Sequence, residues 1–219
     1  MSEHEFEPVR GLPEPLPPGE TILWQGGPRW TVLARQAFHA TPIAIYFSVL
    51  LAWRALHAAQ SGETWAQAAV PMALLALLAA VAISLLLLLA WFAASTALYT
   101  ITSKRVVMRI GIVLTVSYNL PFRAIEAAGQ RNNRDGTGDI NLVLTPDNKI
   151  AWLNLWPHVR PWRVKRPEPV LRAIPDAARV ADILGRAVAA ALAPNAVTTP
   201  RSAAPRETVI DPRPLVAAH

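Results

Sequence analysis

The chain has 219 residues, 53% of them hydrophobic, with a formal net charge of +6 and no cysteine. Disulfides, thiolate metal sites and thiol nucleophiles are therefore excluded. The five histidines (His4, His39, His57, His158, His219) fall without HxH or HxxxH spacing, so no metal site and no cofactor is expected.

Residues 1–36 read as a cytoplasmic N-terminal segment. Glu3, Glu5, Glu7, Glu14 and Glu20 stand against Arg10 alone in the first twenty positions, the reverse of the basic opening of a secretory signal. Residues 37–97 read as a transmembrane hairpin, with helices at about 38–58 and 68–96. The second is the clearer: no charge occurs between Thr64 and Ser103, and no Gly, Asn or Asp between 66 and 103 could turn the chain, so it is one span. Pro71 is assigned to its first turn. The first segment, FHATPIAIYFSVLLAWRALHA, has an uninterrupted apolar core of only Ile43–Trp53. It reads as a span if Arg54 snorkels, and otherwise as an interfacial helix. His39 and His57, at its ends, read as interfacial polar residues rather than pigment ligands. Cations flank the pair (Arg29, Arg35, Lys104, Arg105, Arg109) and are absent from the connection at 58–64, which places both termini in the cytoplasm and the protein in a bacterial inner membrane.

From Ala97 the pattern becomes strand-like. Candidates are Ala97–Thr102, Arg105–Ile110, Ile112–Tyr118, Ala124–Arg131, Ile140–Leu144 and Lys149–Leu153, with turn clusters at 132–139 and 145–148. Helical spacing of Val180, Ile183, Leu184, Ala187, Val188 and Ala191 predicts a closing helix after Pro175–Asp176. The fold class is α+β: a helical membrane hairpin, then an antiparallel β domain over 98–192, then a disordered tail at 193–219.

Two resemblances enter on these residues. YTITSKRVVMRIG and ETILWQGGPRW are similar to the opening strands, and the stretch before the helices, of bacterial pleckstrin-homology-like membrane proteins. GLPEPLPPGE, ILWQGGPRW and, above all, LNLWPHVRPWRVKRPEPVLRAIPD at 153–176 resemble the PuhB-type photosynthetic complex assembly proteins of purple bacteria. That resemblance spans about residues 8–192. It implies a PH-like domain and an assembly factor for the reaction centre and core light-harvesting complex, acting as a membrane-anchored scaffold or chaperone, and it implies no catalytic residues. The rival is a general PH-like membrane protein of lipid or envelope homeostasis.

The stretch Leu153–Pro169 is the candidate site. It holds four prolines, two tryptophans, four Lys/Arg and one acid, Glu168. Residues 98–219 carry seventeen Lys/Arg against nine Asp/Glu, so the basic character is C-terminal. No nucleic-acid-binding motif accompanies it, and nucleic acid is rejected as a partner. Lipid headgroups would suit Arg160, Arg163, Lys165 and Arg166. A protein partner would suit Trp156, His158 and Trp162 beside those cations. The resemblance tips the balance toward reaction-centre or core-antenna subunits, or their assembly intermediates, and self-association is compatible with it. Trp162 is expected to be more exposed than Trp156, which is expected to follow a strand through Ile150, Trp152 and Asn154 into the fold. No GxSxG, paired carboxylates or phosphate-cradling loop occurs, so no enzyme activity is expected.

Overall fold

The computed structural model describes residues 11–12, 14–112, 114–146 and 150–193. The tail from 194 onward, assigned to disorder by composition, lies outside the described residues, as do residues 1–10.

In chain order the elements are β1 (Ile22–Gly26), α1 (Trp30–Gln36), α2 (Ala40–Gln60), α3 (Trp65–Thr96), β2 (Leu98–Thr102), β3 (Arg105–Ile110), β4 (Val116–Pro121), a 3-10 turn (Phe122–Ala124), β5 (Ile125–Asn132), β6 (Thr137–Leu144), the single turn α4 (Trp152–Leu155), β7 (Val170–Pro175) and α5 (Ala177–Leu192). The strands form two antiparallel sheets, β1-β2-β3-β4 and β5-β6-β7. Their facing sides, with α5, enclose one apolar core that includes Tyr99, Ile101, Met108, Leu142, Leu171, Ile174 and Leu184. Fold class and closing helix are as the sequence predicts.

Four elements differ. The strand expected at Ile112–Tyr118 runs instead over Val116–Pro121, after a break at Gly111, whose positive φ interrupts the β pattern. Lys149–Leu153 is not a strand: residues 147–149 lie outside the described residues, and Trp152–Leu155 is a helical turn. Two strands escaped the pattern. β7 is embedded between prolines, and β1 lies before the helices yet pairs with β2 after them, Gln25 opposite Thr100 and Gly26 opposite Tyr99. The long helices are thus inserted inside the first β-hairpin. The described part of the 1–36 segment does not stand apart from the domain, because Ile22–Gly26 supplies its edge strand. Two side-chain contacts reinforce the pairing. Gln25 Nε2 donates to Thr100 Oγ1 at 2.9 Å, and Arg105 Nε donates to Glu20 Oε1 at 2.8 Å. Burial pushes the Glu20 carboxyl up, but hydrogen bonds from Arg105 and Thr102 outweigh it and hold its pKa below the usual value. Where the chain leaves and re-enters the sheet, a Cβ on Gly27 would lie 2.9 Å from the Ala97 carbonyl oxygen, so the two crossings need glycine there.

Helices α2 and α3 are long and apolar enough to cross a membrane. Only 6% of the most apolar window of each helix is buried, unlike the core helix of a soluble fold. Val49, Trp53, Val70, Leu74 and Leu77 are each about 60% exposed or more, an apolar surface of the kind that meets a membrane or another protein. At the far end, Arg54 Nη2 donates to Glu63 Oε2 at 2.7 Å, which pairs the single cation between Arg35 and Lys104. Helix α3 begins at Trp65, earlier than its apolar run suggests, because Gln67 accepts the Thr64 N–H at 2.9 Å and so fixes the first turn. Pro71 consequently falls in the second turn, not the first.

The length of α3 has a use. Its 32 residues reach about 48 Å at 1.5 Å per residue, well beyond a hydrocarbon core of about 30 Å. The surplus is its C-terminal end, where Ala90 and Ala93 pack under Val32, Leu33 and Ala34 of α1, with Phe38 and Ala173 closing the cluster. The Arg29 N–H donates to the Ala173 carbonyl at 2.8 Å, so α1 bonds α3 to β7. Leu33 has no exposed surface. Leu33→Ala is therefore expected to destabilise this joint by about 2–5 kcal/mol, seen as a lower thermal midpoint of the detergent-solubilised protein and faster proteolysis between residues 27 and 39. An unchanged midpoint would show that α1 is not packed there.

Candidate docking loop

The proline-rich stretch folds as a stapled loop. Val159 and Pro169 form an isolated antiparallel bridge, the Arg160 N–H donates to the Glu168 carbonyl at 3.0 Å, and the Val170 N–H donates to the His158 carbonyl at 2.9 Å. The prolines cannot supply donors for a longer ladder, so pairing stops there and residues 161–167 stand out as a tip.

Glu168 fixes the base. It is buried, and its carboxylate accepts Arg160 Nη1 at 2.8 Å and lies 3.5 Å from Arg163 Nε. A buried carboxylate needs such partners, and the one acid among four cations was the sequence signal for it. Arg160 and Arg163 are therefore not free charges on a docking edge: both are tied to the loop base. Lys165 and Arg166 stand exposed on the tip. Trp162 is 95% exposed, Val164 65% and Trp156 46%. Trp162 also sits at φ 65, a left-handed conformation that costs a bulky residue about 1 kcal/mol or more.

Trp156 and His158 do other work. Trp156 ends the turn of α4 instead of a strand, and its ring meets Phe38 edge-on at a centroid distance of 5.2 Å, so it ties the loop to the start of α2. His158 is 1% exposed and cannot touch a partner. Its Nδ1 lies 2.6 Å from Tyr99 Oη, which also accepts the Arg172 N–H at 3.3 Å. Arg172 Nη1 donates to the Pro157 carbonyl at 2.9 Å, and Asp139 Oδ1 accepts the Ala173 N–H at 2.8 Å. Burial, then the charge of Arg172, pushes the His158 pKa down to about 3. Burial also pushes the Tyr99 hydroxyl up, so a protonated phenol and a neutral imidazole share this hydrogen bond. Sequence reasoning missed this cluster because Tyr99 and His158 are 59 positions apart.

The comparisons with known proteins agree with this architecture. Residues 40–188, from the start of α2 into α5, match the bacterial PH domain family. The chain belongs to that family. It is also 43% identical over 211 residues to a Rhodobacter capsulatus protein described as an uncharacterized 23.7 kDa protein in the puhA 5' region. That match covers 93% of this chain and 97% of the relative. A crystal structure of a DUF1696 family protein with a pleckstrin-homology domain, from Shewanella loihica PV-4, is 12% identical and covers 42% of this chain and 71% of its own, with a TM-score of 0.28. That superposition is too loose to carry an argument.

Two predictions follow the two halves of the loop. Arg160→Gln leaves the buried Glu168 short of a partner and is expected to destabilise by about 1–3 kcal/mol, whereas Lys165→Gln with Arg166→Gln should stay within about 0.5 kcal/mol of the parent; equal midpoints in thermal denaturation would contradict the staple. The second concerns pH. Unfolded, the His158 imidazole takes up a proton below about 6.5; folded, it stays neutral down to about 3. Acid therefore favours the unfolded chain, and stability should fall by up to about 1.4 kcal/mol per pH unit as pH drops through that window. His158→Gln should flatten the slope between about pH 6.5 and 5.5, where an unfolded carboxyl such as that of Glu20 is still almost fully ionised. An unchanged slope would show that His158 is protonated in the folded protein.

Proposed function

We propose that this chain is a membrane-anchored assembly factor for the photosynthetic reaction centre and its core antenna, acting as a scaffold without a catalytic step. The observation that carries this reading is the 43% identical relative across nearly the whole of both chains, which is described by its position 5' of puhA. That gene label shares its prefix with the PuhB-type proteins that residues 11–30 and 153–176 resemble. In this reading α2 and α3 span the inner membrane, with residues 61–64 periplasmic and both ends of the chain cytoplasmic. Charge supports the orientation: Arg29, Arg35, Lys104, Arg105 and Arg109 lie at the domain end, while Arg54 at the other end is paired with Glu63.

The docking element is the tip, where Trp162, Val164, Lys165 and Arg166 present apolar surface and charge together. Its stapled base reduces the entropy lost on binding. Both the tip and the hairpin are within reach of a nascent membrane subunit, because Trp156 holds the loop against the start of α2.

Deleting the gene should lower assembled reaction centre and leave growth without photosynthesis near normal. An envelope or general growth defect with normal reaction-centre levels would instead favour lipid homeostasis, a reading that membership of the PH family alone also supports. Trp162→Ala combined with Lys165→Gln and Arg166→Gln should leave the protein inserted and reduce co-purification with reaction-centre or antenna subunits. Wild-type co-purification should decline as salt rises, because exposed charge contacts are screened. Reporter fusions after Gly62 and Thr199 should report opposite sides of the membrane; the same side for both would exclude the hairpin.

A further inference from the structure

The joint between the helices and the domain contains a groove that the docking function does not use. It holds about 350 Å³ and is lined by Trp30 and Arg35 of α1, Thr41 and Ala44 of α2, and Ile83 and Leu87 of α3. Its depth in the bilayer follows from helix lengths. Helix α2 has 21 residues, and the same number counted along α3 from Trp65 ends at Leu85. Ile83 and Leu87 are therefore level with the start of α2, where hydrocarbon gives way to headgroups. Below this level α2 and α3 expose apolar side chains, and above it α1 covers the end of α3.

The groove is apolar in the main, with a few polar side chains among its lining residues. Ala44, Ile83 and Leu87 continue the exposed apolar surface of the two long helices. Trp30, which is 43% exposed, Arg35 and Thr41 also line the groove, and Arg35 Nε donates to the Thr31 carbonyl at 3.3 Å. Helix α2 also starts there without a side-chain cap and without an acid in its first turn. Pro42 has no N–H to contribute, but the helix start still favours negative charge. Arg134 and Asp135 of the β5–β6 turn share a neighbouring cleft with Arg35, so the charges around the mouth sum to net positive.

We propose that the groove between α1, α2 and α3 binds one anionic phospholipid, with its phosphate at Arg35 and the start of α2 and one acyl chain along Ile83 and Leu87. Water would not fill a mostly apolar groove favourably, and a protein side chain would need to enter from the bilayer. A phospholipid matches both the apolar lining and the few polar residues at the required depth. Such a lipid would wedge α1 against the helices and so stiffen the joint through which the hairpin and the domain communicate. The inference rests on the bilayer placement proposed above, and its test is independent of reaction-centre assembly.

The test uses the full chain purified in mild detergent, with bound lipid measured by native mass spectrometry and thermal denaturation. Phosphatidylglycerol should be retained at about one per chain and should raise the midpoint, and phosphatidylcholine should do neither. Arg35→Gln should weaken phosphatidylglycerol binding about tenfold, the loss expected for one charge-assisted contact. Ala44→Phe, which fills the groove, should abolish retention with Arg35 intact. Arg179→Gln, an equal charge change on α5, should match the parent. Equal retention of phosphatidylcholine would mean ordinary annular lipid and overturn the proposal. So would parental binding by both groove variants, or equal stabilisation by inorganic phosphate alone. None of these results would alter the outcome of the reporter fusions.

Discussion

The pairing of β1 with β2 is the constraint on which this structure depends. Its partners are separated by both long helices, so the sheet closes only if the hairpin returns the chain to the point it left. Each strand has five residues, and a two-stranded pair of that length is not stable alone. It is supported by β3, by the Arg105–Glu20 ion pair at 2.8 Å, and by the core beneath Tyr99 and Ile101. The helical hairpin and the PH domain are consequently one cooperative object rather than an anchor with a passenger.

That coupling explains where the unusual residues lie. The crossing point needs Gly27 against the Ala97 carbonyl, and directly beside it α1 packs Leu33 onto the surplus end of α3. Ala173, in a left-handed conformation within β7, offers its carbonyl to Arg29 and its N–H to Asp139. The Tyr99–His158–Arg172 cluster continues from there to the loop whose tip carries Trp162. Groups that join the long helices, the sheet and the loop are thus linked by direct contacts along one side of the domain. A displacement of the helices relative to one another would be felt at the loop base, and a load on the loop would be felt at the start of α2 through Trp156 and Phe38.

Much of this was legible in the sequence, and the remainder was hidden for physical reasons. The charge-free run after Thr64 and the β-branched runs after Ala97 announce themselves locally, because span length and strand alternation are properties of neighbouring residues. β1 was not legible: ILWQG is short, lacks clean alternation, and gains its meaning only from a partner beyond the hairpin. β7 was masked by the prolines on either side. In the loop, the crowding of charge around Trp162 suggested its exposure, but the roles of Arg160, Arg163 and His158 depended on Glu168 and Tyr99 becoming buried beside them. A lone histidine in a basic stretch reads as a surface group until its distant partner is known.

The central claim, that the helices are inserted within a closed β-hairpin, can be measured directly because the chain has no cysteine of its own. Gln25→Cys and Thr100→Cys place thiols at directly opposed positions of β1 and β2. Mild oxidation of native membranes should join them within one chain, shown as a shift in non-reducing electrophoresis that thiol reductant reverses. The same Gln25→Cys combined with Ser117→Cys, on β4 at the other edge of the sheet, should not join. Absence of the first crosslink, or equal yield from both pairs, would contradict the account.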